Sequence, residues 1–568
     1  MKPKFPRFLI AASIVVSFSS HASADLIFKD DNNDDLNLNS SWVGGTAQPG
    51  PFDTAVWDGA FVTANQVLNL GADLSWGGID MTNSGGDVTI NGANTLTIGS
   101  GGITSAASKW IWINSPVVLG DVQTWTTPNN LFVAGVISGS SALTKAGPAV
   151  LTLSGANTYS GGTTVTGGTL TMRNGAAVGP AASALTAQDG TILRIENNAF
   201  VGNPINVLGA NANVTLQWVS GGFTGLFTGS ADQKLTAGAG SFPNLSSGPK
   251  QLQNFLGTVD VPVGNGLQFR STSLNNGGDS TTFNVDGTLS SRNGGAMALG
   301  ALTGSGTVTM GNSGSNNIWL TYTIGAKGVD STFSGALVDG DTANGKRVAV
   351  TKIGAGTLTL TGAGNTYTGT TTINAGALKV NGTKSGTGAN NVNTGATLTG
   401  TGSLAGITTV NNGGVLAPGD EGIGNLTLSS LTLASGSVLN VEFGAGNDTA
   451  TVSAGGTLTL GTGATVNVNG FDLDGTYTII NTAGATVSGS AATALSVVNG
   501  NGAKVYTFAD TGSAIQMTIS SSDPTNYWAL PLGDSWNSAG NWSKFVIPNA
   551  IEAIARFGPG ISGLGAGS

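Results

Sequence analysis

Cysteine is absent from the 568-residue chain. That excludes disulfides, thiol catalysis and thiolate metal sites. Histidine occurs once, as His21, and the N-terminal segment that carries it reads as a removable leader. Without it, neither a Ser-His-Asp nor a Cys-His site can be assembled. Charge is scarce: Asp, Glu, Lys and Arg make up 9% of the residues, against roughly 25% in an ordinary domain. Low charge combined with abundant glycine (91 residues) often means disorder, but disordered chains lack apolar material. Here 39% of residues are hydrophobic, so the chain has a core to bury.

What is present begins with an address. Lys2, Lys4 and Arg7 form a basic start, Phe8 to Phe18 is an apolar run, and Ala22-Ser23-Ala24 is a small-x-small site. The run is too short to span a bilayer as a helix, and together the three parts make a secretory signal peptide over residues 1–24, cut between Ala24 and Asp25. Removing it leaves 18 basic and 30 acidic residues, a net charge of −12. An acidic exported chain lacks the clustered Lys and Arg that nucleic-acid binding needs. No transmembrane helix is expected in the mature chain, and the absence of Cys from so large an exported protein fits a bacterium.

One phrase is written twice. "KAGPAVLTLSGANTYSGGTTVTGGTLTM" covers Lys145 to Met172, and "KIGAGTLTLTGAGNTYTGTTTINAGALKV" covers Lys352 to Val380. Leucine alternates with threonine in "TLTLT", the period of a strand with one buried face, and β-branched Thr suits a pleated wall. Leu358, Leu378, Leu398, Leu416, Leu439 and Leu458 recur at steps of 20, 20, 18, 23 and 19 residues. Leu151, Leu170, Leu193, Leu216 and Leu235 recur at 19, 23, 23 and 19. A strand phrase returning about every 20 residues predicts a solenoid. The expected fold is all-β, a right-handed parallel β-helix of about 20 residues per coil with capping segments at both ends.

The two phrases resemble the autotransporter-associated β-strand repeat, also called the passenger-associated transport repeat, of bacterial exported proteins. The likeness continues more loosely through "GVLAPGDEGIGNLTLSSLTLASGSVLNVEF", Gly414 to Phe443. The resemblance implies a β-solenoid passenger of a type V secretion system, with the outer-membrane secretion machinery as a partner and a role for the repeat in passenger transport. Autotransporters end in a β-barrel translocator, for which the 48 residues after Ser520 leave no room. The predicted organisation is therefore a signal peptide (1–24), an acidic leader with a Trp-containing cap module (25–60), and a solenoid passenger (61–520) with repeats at 145–172 and 352–380. A Trp-rich segment (521–568) follows. In it Trp542, Pro548, Ala555 and Phe557 align with Trp42, Pro49, Ala55 and Trp57, so it reads as the start of a second module or a truncated end.

The chemistry expected of this chain is sparse. The leading reading is a non-enzymatic stalk or adhesin-like protein at a bacterial surface, needing no cofactor, with surface polysaccharide or other surface proteins as partners. A second is a pectin-lyase-like enzyme, for which Arg270 and Arg292, one coil apart, with Asp279 and Asp286 are the best catalytic constellation. A third is a carbohydrate-binding module using Trp-rich segments, among them Trp110 and Trp112 on one strand face. Trp528, Trp536 and Trp542 are weighed in the same way, either as a sugar platform or as a hydrophobic cap. Asp30, Asn32 and Asp34 have the spacing of a calcium loop, but Asp35 and Ser41 stand where Gly and a bidentate Glu belong, which makes a solvated acidic leader the plainer account.

Overall fold

The computed structural model describes residues 24–105, 107–239, 244–245, 251–270, 276–292, 294–311, 317–419, 421–470, 473–521, 525–528 and 554–557. Contacts divide the chain into two units, Met1–Thr164 with Val178–Pro180, and Val165–Ala177 with Ala181–Ser568. Both are built from short strands stacked in parallel, coil upon coil, which makes the chain a β-solenoid.

In the first unit each coil lays strands on three walls. One wall pairs Leu26–Phe28 with Thr54–Asp58, then runs through the ends of Leu74–Asn83 and Leu96–Thr104 to Gln123–Thr126 and Leu143–Ala146. The beginnings of the two long strands turn onto a second wall with Val117–Leu119 and Ile137–Ser138. The third wall stacks Gln66–Asn69, Val88–Asn91, Ile111–Ile113, Leu131–Val133 and Val150–Leu153. Alternation along each strand sends one set of side chains inward. Val88, Ile111, Leu131 and Leu151 stack in register and are fully buried.

The second unit repeats the arrangement. One wall carries Ser331–Phe333, Thr357–Leu360, Gly376–Val380, Ala396–Gly400, Val415–Pro418, Val438–Phe443, Ala464–Gly470 and Leu495–Val497. Leu358, Leu378, Leu398, Leu416 and Leu439 lie one above another and are buried. Leu458 breaks the series, because it sits on a different wall above Leu431. The residue stacked on Leu439 is Val466, 27 residues on. Likewise Leu170, Leu193 and Leu216 are in register, but Leu235 pairs with Val214. All walls use the same Gly-Thr-Leu wording, so spacing alone does not say to which wall a leucine belongs.

The parallel stack is closed differently at its two ends. At the start, Trp42, Trp57 and Trp76 are fully buried with ring centroids 5.7–6.2 Å apart. Towards the end, Gly475–Asn481, Ala514–Ser521 and Lys504–Asp510 form an antiparallel meander, and a short helix, Ala491–Ala494, precedes Leu495–Val497. Antiparallel pairing ends the coil-on-coil template, and it does so within the stretch expected to be solenoid. Beyond it Thr525–Trp528 pairs in parallel with Ile554–Phe557, setting Asn526 opposite Ala555. Leu26–Phe28 pairs with Thr54–Asp58 in the same sense, with Ile27 opposite Ala55. Trp536 and Trp542 lie outside the described residues.

The stacked leucines and the wall threonines should respond differently to truncation. Leu378→Ala removes a buried rung and should cost about 2–5 kcal/mol. Thr359→Ala on the outer face should cost under ~1 kcal/mol. Denaturant midpoints measured on both variants check the facing, and equal losses would contradict it.

Candidate functional site

The paired phrases owe their shared residues to turns rather than to a reaction centre. Lys352 ends the strand Arg347–Lys352 with its side chain turned inward and 1% exposed. Its ammonium donates to the carbonyls of Ile353 (2.8 Å), Gly354 (2.9 Å) and Ala375 (3.1 Å). Lys145 does the same in the first phrase, donating to Ala146 (3.0 Å) and Gly147 (2.7 Å). These carbonyls converge because the chain turns sharply there. Gly354 has φ +70°, and a Cβ on it would overlap the Gly325 carbonyl of the preceding coil.

The Asn and Tyr of each phrase complete the device. Asn157 accepts from the Ile137 amide at 2.8 Å and Asn365 from the Leu337 amide at 3.0 Å, so each amide satisfies a donor in the coil below. Tyr159 and Tyr367 are fully buried, and their hydroxyls bond the hydroxyls of Thr163 and Thr371 at 2.5 and 2.6 Å. Burial pushes both phenols well above the ordinary tyrosine range. Buried polar groups must be paired, and these four residue types pair one another and the backbone.

Lys384 extends the pattern beyond the two phrases. It is 2% exposed, donates to Gly386 and Gly388 carbonyls at 2.8 Å each, and lies 5.1 Å from the Tyr367 ring centroid. Lys29 makes a fourth cradle. Its ammonium donates to the carbonyls of Asp30 and Asn32 (2.9 Å each) and to Asn32 Oδ1 (3.0 Å). The acidic loop with calcium-like spacing is therefore wrapped around the protein's own cation. Asp34 instead accepts from Ser40 at 2.7 Å, and Gln66 donates to the Asp30 and Asn32 carbonyls at 3.1 Å while accepting from Trp57. Among the described residues no three His, Cys, Asp or Glu side chains gather closely enough to hold a metal ion. Ala24 and Asp25 are exposed, immediately before the first strand.

The lyase-like constellation falls on the second unit. Arg270 and Arg292 follow Phe269 and Ser291, which are in register, so the two arginines occupy stacked positions. Their amides donate to the carbonyls of Leu245 and Phe269. Asp279 is exposed on the strand Asn276–Val285. Asp286 accepts from the amide and hydroxyl of Ser305, 2.9 Å each, and from Asn284 at 3.1 Å. The Ser305 bond holds its carboxyl below the usual range. That is the electrostatics of a turn cap, since a general acid needs its pKa raised.

Residues 143–172 and 350–380 match the passenger-associated-transport-repeat family. The chain carries two transport repeats. In these repeats the Lys cradle, the Asn bridge and the buried Tyr recur at equivalent places. The repeat-bearing chain is also 26% identical over 278 residues to the adhesin BmaC autotransporter of Brucella suis biovar 1 (strain 1330). The aligned part is 44% of this chain and 7% of that adhesin, so the chain spans a small fraction of the relative's length. No helix among the described residues is long and apolar enough to cross a membrane.

The sequence singled out the lysines of the two repeats only as matching letters. Lys384, with no second copy of its surroundings, gave no signal; a Lys entering a Gly-x-Gly turn after a strand is the pattern that finds it.

The cradles give stability a defined pH profile. Burial pushes Lys29, Lys145 and Lys384 down to about 8 from 10.5 and lowers Lys352. Between about 8 and 10.5 the unfolded chain holds more protons than the folded one, so stability rises with pH through that window. The buried tyrosines act oppositely. Their folded pKa values lie above the ordinary 10.0, so above about 10 the unfolded chain loses protons first and stability falls. Thermal midpoints should climb from about pH 8, peak near 10 and then decline. Lys384→Met should flatten the climb and Tyr367→Phe the decline. A profile that falls steadily from pH 8 would show that the carbonyls hold the ammonium groups at their ordinary proton affinity.

Proposed function

We propose that this chain is a non-enzymatic passenger, exported from a bacterial cell and displayed at or beyond the outer membrane as a stiff, adhesin-like stalk. The observation that carries this reading is the pair of transport repeats set within a parallel solenoid. The partial likeness to an autotransporter adhesin agrees with it. In this reading the repeats assist passage through the outer-membrane secretion machinery. Their local turns, each closed by one lysine, offer early nuclei on which following coils add one at a time. Residues 1–24 serve as the signal peptide. The parallel pair Thr525–Trp528 and Ile554–Phe557 begins a second module like the one at the start.

The absence of catalysis is part of the proposal. The walls are lined by Thr and Asn, and Asp286 is engaged by Ser305 and Asn284. Incubation with pectate, alginate or other uronic-acid polymers, with and without calcium, should give no unsaturated or shortened products. Turnover lost in Arg270→Ala and kept in Lys379→Ala would replace this reading with the lyase-like one.

Export is tested in the producing cell. Surface or secreted material should begin at Asp25 on N-terminal sequencing and be removed by protease added to intact cells. Protein that keeps Met1 and stays inside protease-shielded cells would contradict display.

A further inference from the structure

The outer face of one wall departs from the Thr and Asn pattern at a single cluster of three touching rings. Trp112 and Phe132 are opposite each other on successive strands, Ile111–Ile113 and Leu131–Val133. Their rings are stacked, with centroids 5.7 Å apart and planes 12° apart. Trp110 joins them at 5.6 and 5.9 Å and is 45% exposed. The neighbours Ile111 and Ile113 fill the core with no exposure, so alternation fixes Trp112 on the outside. Two residues further along the same face, exposed Asn114 donates to Asn91 Oδ1 at 2.7 Å. That bond leaves an amide donor on Asn91 and an acceptor on Asn114 for a ligand.

We propose that this face binds a neutral glycan chain, with sugar rings lying on Trp112 and Phe132 and hydroxyls meeting the Asn91–Asn114 pair. Exposed rings in mutual contact cost solvation that a ligand can recover, and a pyranose offers what they lack, a C–H face with hydroxyls at its rim. Adjacent coils repeat every ~4.8 Å, a spacing on the scale of one sugar residue, so a chain running along the stack can use one ring per coil. Charge selects against the alternatives. The patch is flanked by one acid and one base, Asp87, which accepts from the Trp110 amide at 2.9 Å, and Lys109. The chain as a whole is acidic, so an anionic polymer gains nothing here. By contrast Trp319, 52% exposed, is covered by the Arg347 guanidinium 5.6 Å from its centroid.

This assignment deepens the adhesin-like reading by naming its ligand class, and it is measured on purified full-length chain, independently of where the cell places it. The probes are cellohexaose and chitohexaose as neutral chains and oligogalacturonate as the anionic control, read by tryptophan fluorescence and calorimetry. A neutral probe should bind saturably. Trp112→Ala and Phe132→Ala should each weaken it at least about tenfold, the scale of one stacked ring, and Asn114→Ala should weaken it less. Trp319→Ala should leave it unchanged. Thermal midpoints of each variant, and loss of binding in Asn114→Ala with both rings kept, separate a binding defect from misfolding. No binding of either neutral probe would overturn the proposal. Tighter binding of oligogalacturonate would do so too, as would self-association of the chain that Trp112→Ala abolishes. A failure here leaves display at the surface standing, and internal retention in the cell would leave this binding intact.

Discussion

Every strand in this protein has its hydrogen-bonding edges filled by the coil before and the coil after. Leu378 is opposite Leu358 on one side and Leu398 on the other, and the same holds along each wall. A single coil has no such partners, so its backbone groups are satisfied only in the stack. This one constraint sets the composition. Side chains at equivalent positions lie close above one another, where like charges would repel and Thr, Asn and Leu do not. It also sets the glycines at the corners, where successive turns approach until a Cβ would strike the backbone below, as at Gly354 above Gly325.

Tight corners create the second problem, carbonyls that point inward with no amide to receive. A single ammonium has three donors on a flexible stem and reaches several such oxygens at once. Lys29, Lys145, Lys352 and Lys384 each serve a turn in this way. Lysine in a motif otherwise without charge is thus a backbone-capping group. The buried phenols and amides beside it answer the remaining polar groups. Removing any one of them leaves a buried partner unsatisfied, and that costs more than the bond itself contributes.

Much of the fold was legible because the stack writes itself into the sequence. The Leu-Thr alternation gave strands, and the return of the phrase gave coils, down to the register of Leu358 with Leu378, Leu398, Leu416 and Leu439. Leu458 and Leu235 were misplaced because three walls share one vocabulary and coil length varies, reaching 27 residues between Leu439 and Val466. The antiparallel closure after Leu495–Val497 left no periodic signal, since its strands alternate as the others do. In the acidic loop, spacing showed which oxygens gather around Asp30 and Asn32. It could not show that the side chain of Lys29 reaches back to fill their centre. Trp42 and Trp57 announced a cap, but Trp76, which completes the packed triad, comes from a strand with no sign of belonging to it.

A wall that must repeat has little room for chemistry, and this limits where function can sit. Catalysis needs unlike groups held against one point, with proton affinities moved apart. The stacked arginines of the second unit meet the first condition in part, but Asp286 beside them is drawn to Ser305 of the next coil and held acidic, serving the corner. Binding asks less of a repeating surface, because like groups in a row are what an extended ligand reads. A row of uncharged side chains favours a ligand that is itself a repeating chain. In the solenoid the constraint that removes reaction centres is the same one that lays aromatic and amide positions side by side at coil intervals, so a long display surface comes from the fold without any departure from its stacking rule.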